Sequence, residues 1–371
     1  MYSESDIDAA VAGGILGPDQ AAAFRGFVAA GRPISAVDEE HFRLLTGFND
    51  IFVGLAALIL LVAVAWIGQY VPPQIGGDGP SPFLGLFVAV TAWGLAEFFT
   101  LKRRMALPSI ILTLAFLTGI FVFAAVTIVI AVGESYMESP REVFMVLSAS
   151  AAITAGAAWL HWRRFKVPIT IAAGAAAAVA LVIGLVATPM VRSGERLTDA
   201  EVDSVHFILE VTALVLGLLT FLFAMWWDAS DRRRQTRRSD VAFWLHLLAA
   251  PLIVHPVFWL LGLTEGGASI GSAIAVVLLY VVMAVLALAI DRRAILVSAL
   301  AYVLWAINML FRESGAVELS VALTALVIGS ALLLLSAFWP NARRGVVAPL
   351  PEGLQARLPL LDRPATRIVP A

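Results

Sequence analysis

Cysteine is absent from this chain of 371 residues, and charged residues are scarce. Without a thiol, the protein cannot form a disulfide, use a thiolate nucleophile, or bind zinc or an iron–sulfur cluster through cysteine. Asp, Glu, Lys and Arg make up 14% of the residues, against about 25% in a soluble domain. Lys102 and Lys166 are the only lysines, so every other base is an arginine. These shortages exclude several classes of metal and redox chemistry and argue against a water-soluble fold.

Common catalytic signatures are missing too. The chain contains no P-loop, no GxGxxG fingerprint and no HExxH pair, and its histidines show no metal-ligand spacing. We therefore predict no catalytic residue, no metal site and no cofactor. The five histidines are His41, His161, His206, His246 and His255.

Apolar residues dominate the rest of the chain. Hydrophobic side chains make up 60% of the residues, and the mean hydropathy is +0.90. A helix that crosses a bilayer needs about 20 mainly apolar residues, and the sequence contains about ten such runs. We predict an all-α, polytopic membrane helix bundle of about ten transmembrane helices, called spans 1 to 10 below. The runs cover residues 49–70, 82–100, 107–132, 143–160, 168–189, 206–227, 241–262, 268–290, 294–311 and 316–339.

Basic residues are sorted between alternate gaps. Of the 25 bases, 21 fall in the N-terminal segment, in alternate loops and in the C-terminal tail. Because Lys and Arg favour the cytoplasmic side of a membrane, both termini are predicted to be cytoplasmic. We expect a multi-pass protein of the bacterial inner (cytoplasmic) membrane.

Three regions follow from this layout. Residues 1–46 are predicted to be a cytoplasmic helical module, in which a helix begins at Pro18 and closes near Gly31. Residues 47–340 form the transmembrane domain. Residues 341–371 are rich in proline, which forbids a long helix, so we predict a largely disordered cytoplasmic tail.

An Arg-Arg pair recurs in the inner turns. The first and third pairs lie 130 residues apart, and the second and fourth lie 129 residues apart. One interpretation is a parallel repeat in which spans 2–5 recur as spans 6–9, as in some transporters. The other is that the positive-inside bias alone places arginine in short inner turns. We also expect the pairs to contact anionic lipid headgroups. The pairs are Arg103–Arg104, Arg163–Arg164, Arg233–Arg234 and Arg292–Arg293.

Three features resemble a known family. Residues 14–20 read Gly-Ile-Leu-Gly-Pro-Asp-Gln and are followed by Phe24, the first span begins abruptly at Gly47, and one turn reads Asp291-Arg-Arg-Ala-Ile-Leu. In these features the chain resembles uncharacterised bacterial multi-pass membrane proteins with a short N-terminal helical segment, the predicted-membrane-protein domain of unknown function 2157. The resemblance covers most of the chain. It implies this architecture, and the family has no function that it could imply.

Ionisable residues inside a span are costly in lipid and are therefore functional candidates. Glu97 and His246 lie near the inner ends of spans 2 and 7, whereas Glu210 and His255 lie toward the outer ends of spans 6 and 7. Since histidine titrates near neutral pH, one hypothesis is a proton or ion route with these residues at its two mouths. The other is that all four reach water by snorkelling from the helix ends.

Span 7 also contains Pro251 and Pro256. Each proline removes a backbone hydrogen bond and bends a helix. Bent membrane helices are tolerated where protein or a water-filled cavity satisfies the freed carbonyls. We predict a kink at these prolines, which brings His246 and His255 closer to one path.

Several partners are expected. Membrane lipids are the first, and residues 1–46 are a candidate docking site for a protein partner. Spans 4 and 5 are rich in Ala and Gly, which favours either tight packing of this hairpin or a homo-oligomer interface. The five arginines in 232–238 would suit nucleic acid in isolation, but their place in an inner loop explains them, so we expect no nucleic acid.

Two functions are consistent with these patterns. The first is a solute or ion transporter or channel, and the second is a non-transporting membrane scaffold or sensor that acts through its cytoplasmic N-terminal module. The number of spans and the repeat exceed what an anchor needs, which favours the first. An enzyme is less favoured because no nucleophile or metal set is visible.

Overall fold

The structure, a computed structural model, describes most of the chain and divides it into two units, Met1–Phe42 and Arg43–Ala371. Throughout the described residues the secondary structure is helical, without a strand, which confirms the all-α class. The described residues are 7, 10–31, 48–133, 139–191, 198–232, 234, 236–260, 270–293, 295–296, 300, 303–304, 320–356 and 358–361.

The first unit contains helix α1, Pro18–Gly31. Proline suits the first helical position because its missing N–H would have no partner there. The amide of Gly17 donates to Oε1 of Gln20 at 3.1 Å, just before the helix. Gly14 has a left-handed backbone (φ 71°) in the preceding turn, which glycine adopts without strain. The helix has the bounds that Pro18 and Gly31 predict, whereas residues 32–47 lie outside the described residues.

The second unit contains the long apolar helices. A π-helical turn, Glu97–Lys102, continues the second of them, and a 3₁₀ turn, Thr188–Met190, continues the fifth. The helices are α2 (Phe48–Gln69), α3 (Pro82–Ala96), α4 (Ala106–Val132), α5 (Pro140–Phe165), α6 (Ile169–Ala187), α7 (Asp199–Ala229), α8 (Arg237–Leu260), α9 (Ile270–Ile290), α10 (Ser320–Ala337), α11 (Trp339–Val347) and α12 (Glu352–Gln355).

Local capping explains where two of these helices begin. Ser81 precedes Pro82 and accepts a hydrogen bond from the amide of Phe83 at 3.2 Å. At the start of α7, Thr198 and Glu201 form a capping box, in which the Thr198 amide donates to Oε2 of Glu201 at 2.9 Å. Such caps satisfy amides that have no partner within the helix.

Seven helices in the described part of the chain are long and apolar enough to cross a membrane, or eight if one bent pair is a single span. The seven match predicted spans 1 to 7. Within α9, the segment Ile274–Ile290 is apolar but shorter than the seven. The bent pair is α10 with α11, which meet at 75°. Most of predicted span 9, 294–311, lies outside the described residues. The prediction of about ten spans is therefore not confirmed, but the helices fit a multi-pass membrane protein.

Large apolar side chains cover the outer surface of this unit. Phe48 is 81% exposed, Val62 67% and Leu333 73%. Exposure of so much apolar surface to water is unfavourable, and patches of this extent mark membrane or protein contacts. The surface agrees with helices that face lipid.

Glycine lets neighbouring helices approach closely. Gly85 of α3 faces Gly119 of α4, and a Cβ at either position would collide with the backbone of the other helix. A Cβ on Gly217 of α7 would lie 2.8 Å from the carbonyl carbon of Leu252 on α8. Small residues are favoured at membrane helix interfaces for this reason. In the α5–α6 hairpin, a Cβ on Gly174 would approach Ala158, in agreement with tight packing there.

The arginine-rich turns lie together. Trp162 at the end of α5 packs in one cluster with Ala172 of α6 and with Val241 and Leu245 of α8. An ion pair also joins the end of α3 to the end of α5 (Glu97–Arg164), and another joins the end of α7 to the turn after α9 (Asp228–Arg292). The turns that follow α3, α5, α7 and α9 therefore share one end of the second unit, which we call the arginine end.

The C-terminal region differs from the predicted disordered tail. Residues 339–347 and 352–355 are helical, and Trp339, Val347 and Leu358 are buried in the core of the unit. Proline permits this because Pro340 lies in the first turn of α11 and Pro351 is the N-cap of α12. Residues 357 and 362–371 lie outside the described residues.

Candidate functional site

A buried ion pair joins the ends of α7 and α9. Arg292 donates from Nε to Oδ2 of Asp228 at 3.1 Å and from Nη2 to Oδ1 of the same carboxylate. Nε2 of His246 on α8 lies 3.1 Å from Oδ2, and Arg292 also donates to the carbonyl of Ser239 at 3.0 Å. The Asp228, His246 and Arg292 side chains are at most 3% exposed. One carboxylate therefore ties three helices together in a dry environment.

Asp291, the next residue before Arg292, is the centre of a second cluster. It accepts from Nη1 of Arg234 at 2.8 Å and from the indole Nε1 of Trp339 at 2.8 Å. Nε of Arg343 lies 3.7 Å from the carboxylate. Burial raises the pKa of Asp291, but the charges of Arg234 and Arg343 and the indole hydrogen bond lower the pKa by more, so the net pKa is below its ordinary value. Asp291 is therefore held as an anion between two guanidinium groups.

Two arginines of this region hold the C-terminal segment by its backbone. Arg343 donates to the carbonyls of Pro359 at 2.6 Å and Leu360 at 3.1 Å. Arg232 donates to the carbonyls of Leu358 at 3.0 Å and Gln355 at 3.3 Å. Charge-assisted hydrogen bonds are stronger than neutral ones, so Gln355 and residues 358–360 are anchored to the α7–α8 turn and to α11.

The two halves of the second unit close the arginine end in the same way. In the first half, Arg164 at the end of α5 pairs with Glu97 at the end of α3, at 2.9 Å from Nε and 2.6 Å from Nη2. In the second half, Arg292 after α9 pairs with Asp228 at the end of α7. In the predicted repeat α3 corresponds to α7 and α5 to α9. Each acid thus lies near the end of the first helix of its repeat, and each arginine lies near the end of the third. The two arginines occupy different positions in their pairs, because Arg164 is the second residue of Arg163–Arg164 and Arg292 is the first of Arg292–Arg293.

Backbone geometry adds to this correspondence. Arg104 and Arg234 both have left-handed backbones, with φ of 53° and 52°. A non-glycine residue rarely adopts this region. The two residues are separated by the interval of the predicted repeat.

The described arginines of the Arg-Arg turns make two kinds of contact, and the turns 163–164 and 292–293 show both. One arginine pairs with an acid, namely Arg164, Arg234 or Arg292. Another lies over an aromatic ring: Arg103 over Phe98 at 5.5 Å, Arg163 over Trp159 at 4.8 Å and Arg293 over Trp339 at 4.8 Å. Arg234 and Arg292 are almost completely buried and therefore do not face lipid headgroups, whereas for the other arginines the headgroup contact stays a prediction. Arg233 lies outside the described residues.

The predicted route residues are brought together in part. His255 of α8 lies 3.5 Å from Glu210 of α7, as an outer pair requires. Glu97 and His246 do not pair with each other, because Glu97 binds Arg164 and His246 binds Asp228. Helix α8 continues through Pro251 and Pro256.

Sequence reasoning missed the acids of the network. Asp228 and Asp291 directly follow the apolar runs 206–227 and 268–290, so a search for ionisable residues inside the runs does not include them. Asp291 directly precedes Arg292 and Arg293, and Asp228 lies shortly before Arg232. This closeness to arginine clusters is the signal in the sequence that points to the two acids. His161 was also passed over; it is 1% exposed, packs against Trp93, Phe116 and Phe165, and lies 3.2 Å from Oγ1 of Thr170.

Comparisons do not assign a family to this arrangement. The chain matches no protein-family model, no curated protein and no solved structure. The site must therefore be interpreted from its own geometry.

Proposed function

We propose that this protein is a membrane transporter for a solute or ion. In this proposal the buried network of Asp228, His246 and Arg292 at the arginine end is the inner gate. The observation that carries the proposal is the recurrence of an acid–arginine pair between the first and third helices of each half. Parallel repeats of helices occur in secondary transporters, in which one bundle moves against the other around a central site.

Burial of the second pair supports a gating role. Desolvation offsets much of the attraction in a buried ion pair, so such a pair is weak evidence for stabilisation, and a switch role is among its best-attested uses. Asp228 binds groups from α8 and from the turn after α9, so separating these helices breaks the contacts together. The first-half pair is exposed, with Arg164 54% and Glu97 36% accessible, and it opens at a lower cost.

A titratable pair lies toward the opposite end. Glu210 is about 27 Å from Asp228 along α7 at 1.5 Å per residue. It is 3.5 Å from His255, and their side chains are 20% and 53% exposed. An ionisable pair within a membrane helix hairpin is a functional candidate. In the proposal this pair is the outer proton site.

The proposal also includes an orientation and a membrane for the protein. The positive-inside bias supports a cytoplasmic arginine end and cytoplasmic termini in a bacterial inner membrane. The resemblance to the domain of unknown function 2157 supports the same architecture.

The cysteine-free chain allows a direct test of the gate. Ala249 of α8 is 1% exposed and lies about one helical turn from His246. We expect Ala249→Cys to resist a membrane-impermeant maleimide applied from the arginine end and to react when Arg292→Gln is added. The matched control is Arg163→Gln, since Arg163 stacks on Trp159 and is not part of the buried network.

A second reporter separates gating from unfolding. Ala92 of α3 is fully buried in the first half, and Ala92→Cys should stay unreactive in the Arg292→Gln background. If Ala249→Cys is equally unreactive with and without Arg292→Gln, the network is not a gate.

In proteoliposomes with a pH-sensitive dye inside, Glu210→Gln or His255→Ala should abolish proton uptake while leaving expression intact.

A second candidate is a non-transporting scaffold or sensor. The observation that favours it is the C-terminal segment held by Arg232 and Arg343, which a partner could displace. In that case deletion of residues 1–46 or release of the segment abolishes the cellular phenotype, and Glu210 and His255 are dispensable.

A further inference from the structure

A small apolar cavity lies between α9, α10 and α11 at the arginine end. Its volume is about 170 Å³, and it is partly open. Four of its eight lining residues are leucines, and the others are an arginine, a serine, a tyrosine and a tryptophan. The lining residues are Tyr280, Arg293, Leu296, Leu300, Leu332, Leu335, Ser336 and Trp339.

The charged residue has a defined position. The guanidinium of Arg293 lies 4.8 Å from the ring centre of Trp339, and Nη1 is 3.4 Å from Oγ of Ser336. Its neighbour Arg292 is turned into the protein and is buried against Asp228. The turn therefore directs one arginine into the buried network and the other to the cavity.

A buried polar atom lies in the same wall. The hydroxyl oxygen of Tyr280 is buried and has no hydrogen-bond partner among the described residues. A buried hydroxyl without a partner is costly, and most such groups in native structures are satisfied by protein, water or a ligand.

We infer that this cavity binds a membrane phospholipid with an anionic headgroup, with part of an acyl chain against the leucines and the phosphate at Arg293. The apolar wall selects a hydrocarbon chain, and the volume is below the about 300–1,000 Å³ of typical small-molecule pockets, which suits part of one chain. Basic pockets between membrane helices on the cytoplasmic side bind anionic lipid headgroups. Trp339 adds the indole that is common at the lipid–water interface.

This inference does not depend on transport, because the cavity lies outside both the Asp228 network and the Glu210–His255 pair. It also assigns different roles to adjacent residues, since Arg292 holds the gate and Arg293 holds the lipid. The two proposals can therefore fail separately.

The test is native mass spectrometry of the purified full-length chain with added lipid. We expect one retained dioleoyl phosphatidylglycerol and weaker retention of dioleoyl phosphatidylcholine. Arg293→Gln should weaken retention about fivefold, the effect of about 1 kcal/mol for one arginine at an anionic headgroup. Leu332→Trp, which fills the cavity, should weaken it at least as much, and Arg293→Lys should restore most of it.

Arg163→Gln is the control variant for the lipid measurement. It removes an arginine that stacks on the indole of Trp159 and does not line this cavity, and the variant should retain the lipid as the parent does. Equal retention of the two lipids, or unchanged retention in both Arg293→Gln and Leu332→Trp, overturns the assignment. Displacement of phosphatidylglycerol by inorganic phosphate alone would show a free-phosphate site and would also overturn it.

Discussion

Arg292 and Asp228 form a bidentate ion pair that is almost completely removed from solvent, at the meeting point of α7, α8 and α9. The pair is formed by residues 64 positions apart. It shows that the arginine end is held by a specific polar contact as well as by apolar packing.

Removing one partner of this pair should be far more damaging than removing both. Arg292→Met leaves the Asp228 carboxylate buried beside His246 alone, and we expect a cost of about 3–5 kcal/mol in the free energy of unfolding. The double variant Asp228→Leu/Arg292→Met should be much closer to the parent, because neither charge remains. Thermal unfolding in detergent, analysed as a double-mutant cycle, measures this. Additive losses in the double variant would contradict the pairing.

The stability of the arginine end should depend on acid through Asp291. Its pKa is lowered in the folded protein, so the stabilisation is present above the ordinary carboxyl pKa of about 3.9 and is lost as the pH falls through the lower, folded value. Asp291→Asn should remove this part of the acid transition. Asn tolerates the left-handed backbone found there (φ 58°), so the variant tests charge and not conformation.

Unfolding temperature measured from neutral pH downward checks this prediction. The parent should lose more stability than Asp291→Asn over the acid range. Parallel curves for the two proteins would show that Asp291 does not contribute to the pH dependence.

The close approach of α7 and α8 should depend on Gly217. A side chain there meets the backbone of Leu252, so Gly217→Val should destabilise the protein by about 1–3 kcal/mol through overpacking. Gly156→Val is the matched control, because no atom lies within 4 Å of a Cβ at that position. Thermal unfolding of both variants is the measurement, and equal losses would contradict the packing described here.

Anchoring of the C-terminal segment should depend on Arg343. Arg343→Gln removes two charge-assisted hydrogen bonds to the carbonyls of Pro359 and Leu360, and we expect faster amide exchange and proteolysis over residues 355–361. Arg344→Gln, a change at the exposed neighbour, is the control. Hydrogen exchange followed by mass spectrometry measures the difference, and unchanged exchange in Arg343→Gln would show that the apolar contact of Leu358 is sufficient.

Hydrophobic length and helix signals were sufficient to predict much of the fold. Seven of the predicted spans correspond to long apolar helices, because a membrane helix must bury all its backbone hydrogen bonds within one apolar run. The Pro18 and Gly31 signals predicted both ends of α1 because proline and glycine act through local backbone geometry. The Glu210–His255 contact could also be predicted from the sequence, because adjacent antiparallel helices bring residues of similar depth together.

Partner choice within the arginine end was decided only by the tertiary structure. The pattern identified Arg292 and Arg293 equally, yet one turns inward to Asp228 and the other lies over Trp339. Which of two adjacent side chains is buried depends on contacts between elements far apart in the chain, and no local spacing encodes those contacts. The placement of Gln355 and of residues 358–360 has the same origin, because their carbonyls are held by Arg232 and Arg343. The sequence by itself determined the all-α membrane class and the approximate positions of seven long helices, through the length and hydropathy of the apolar runs. The tertiary structure alone decided which charges meet.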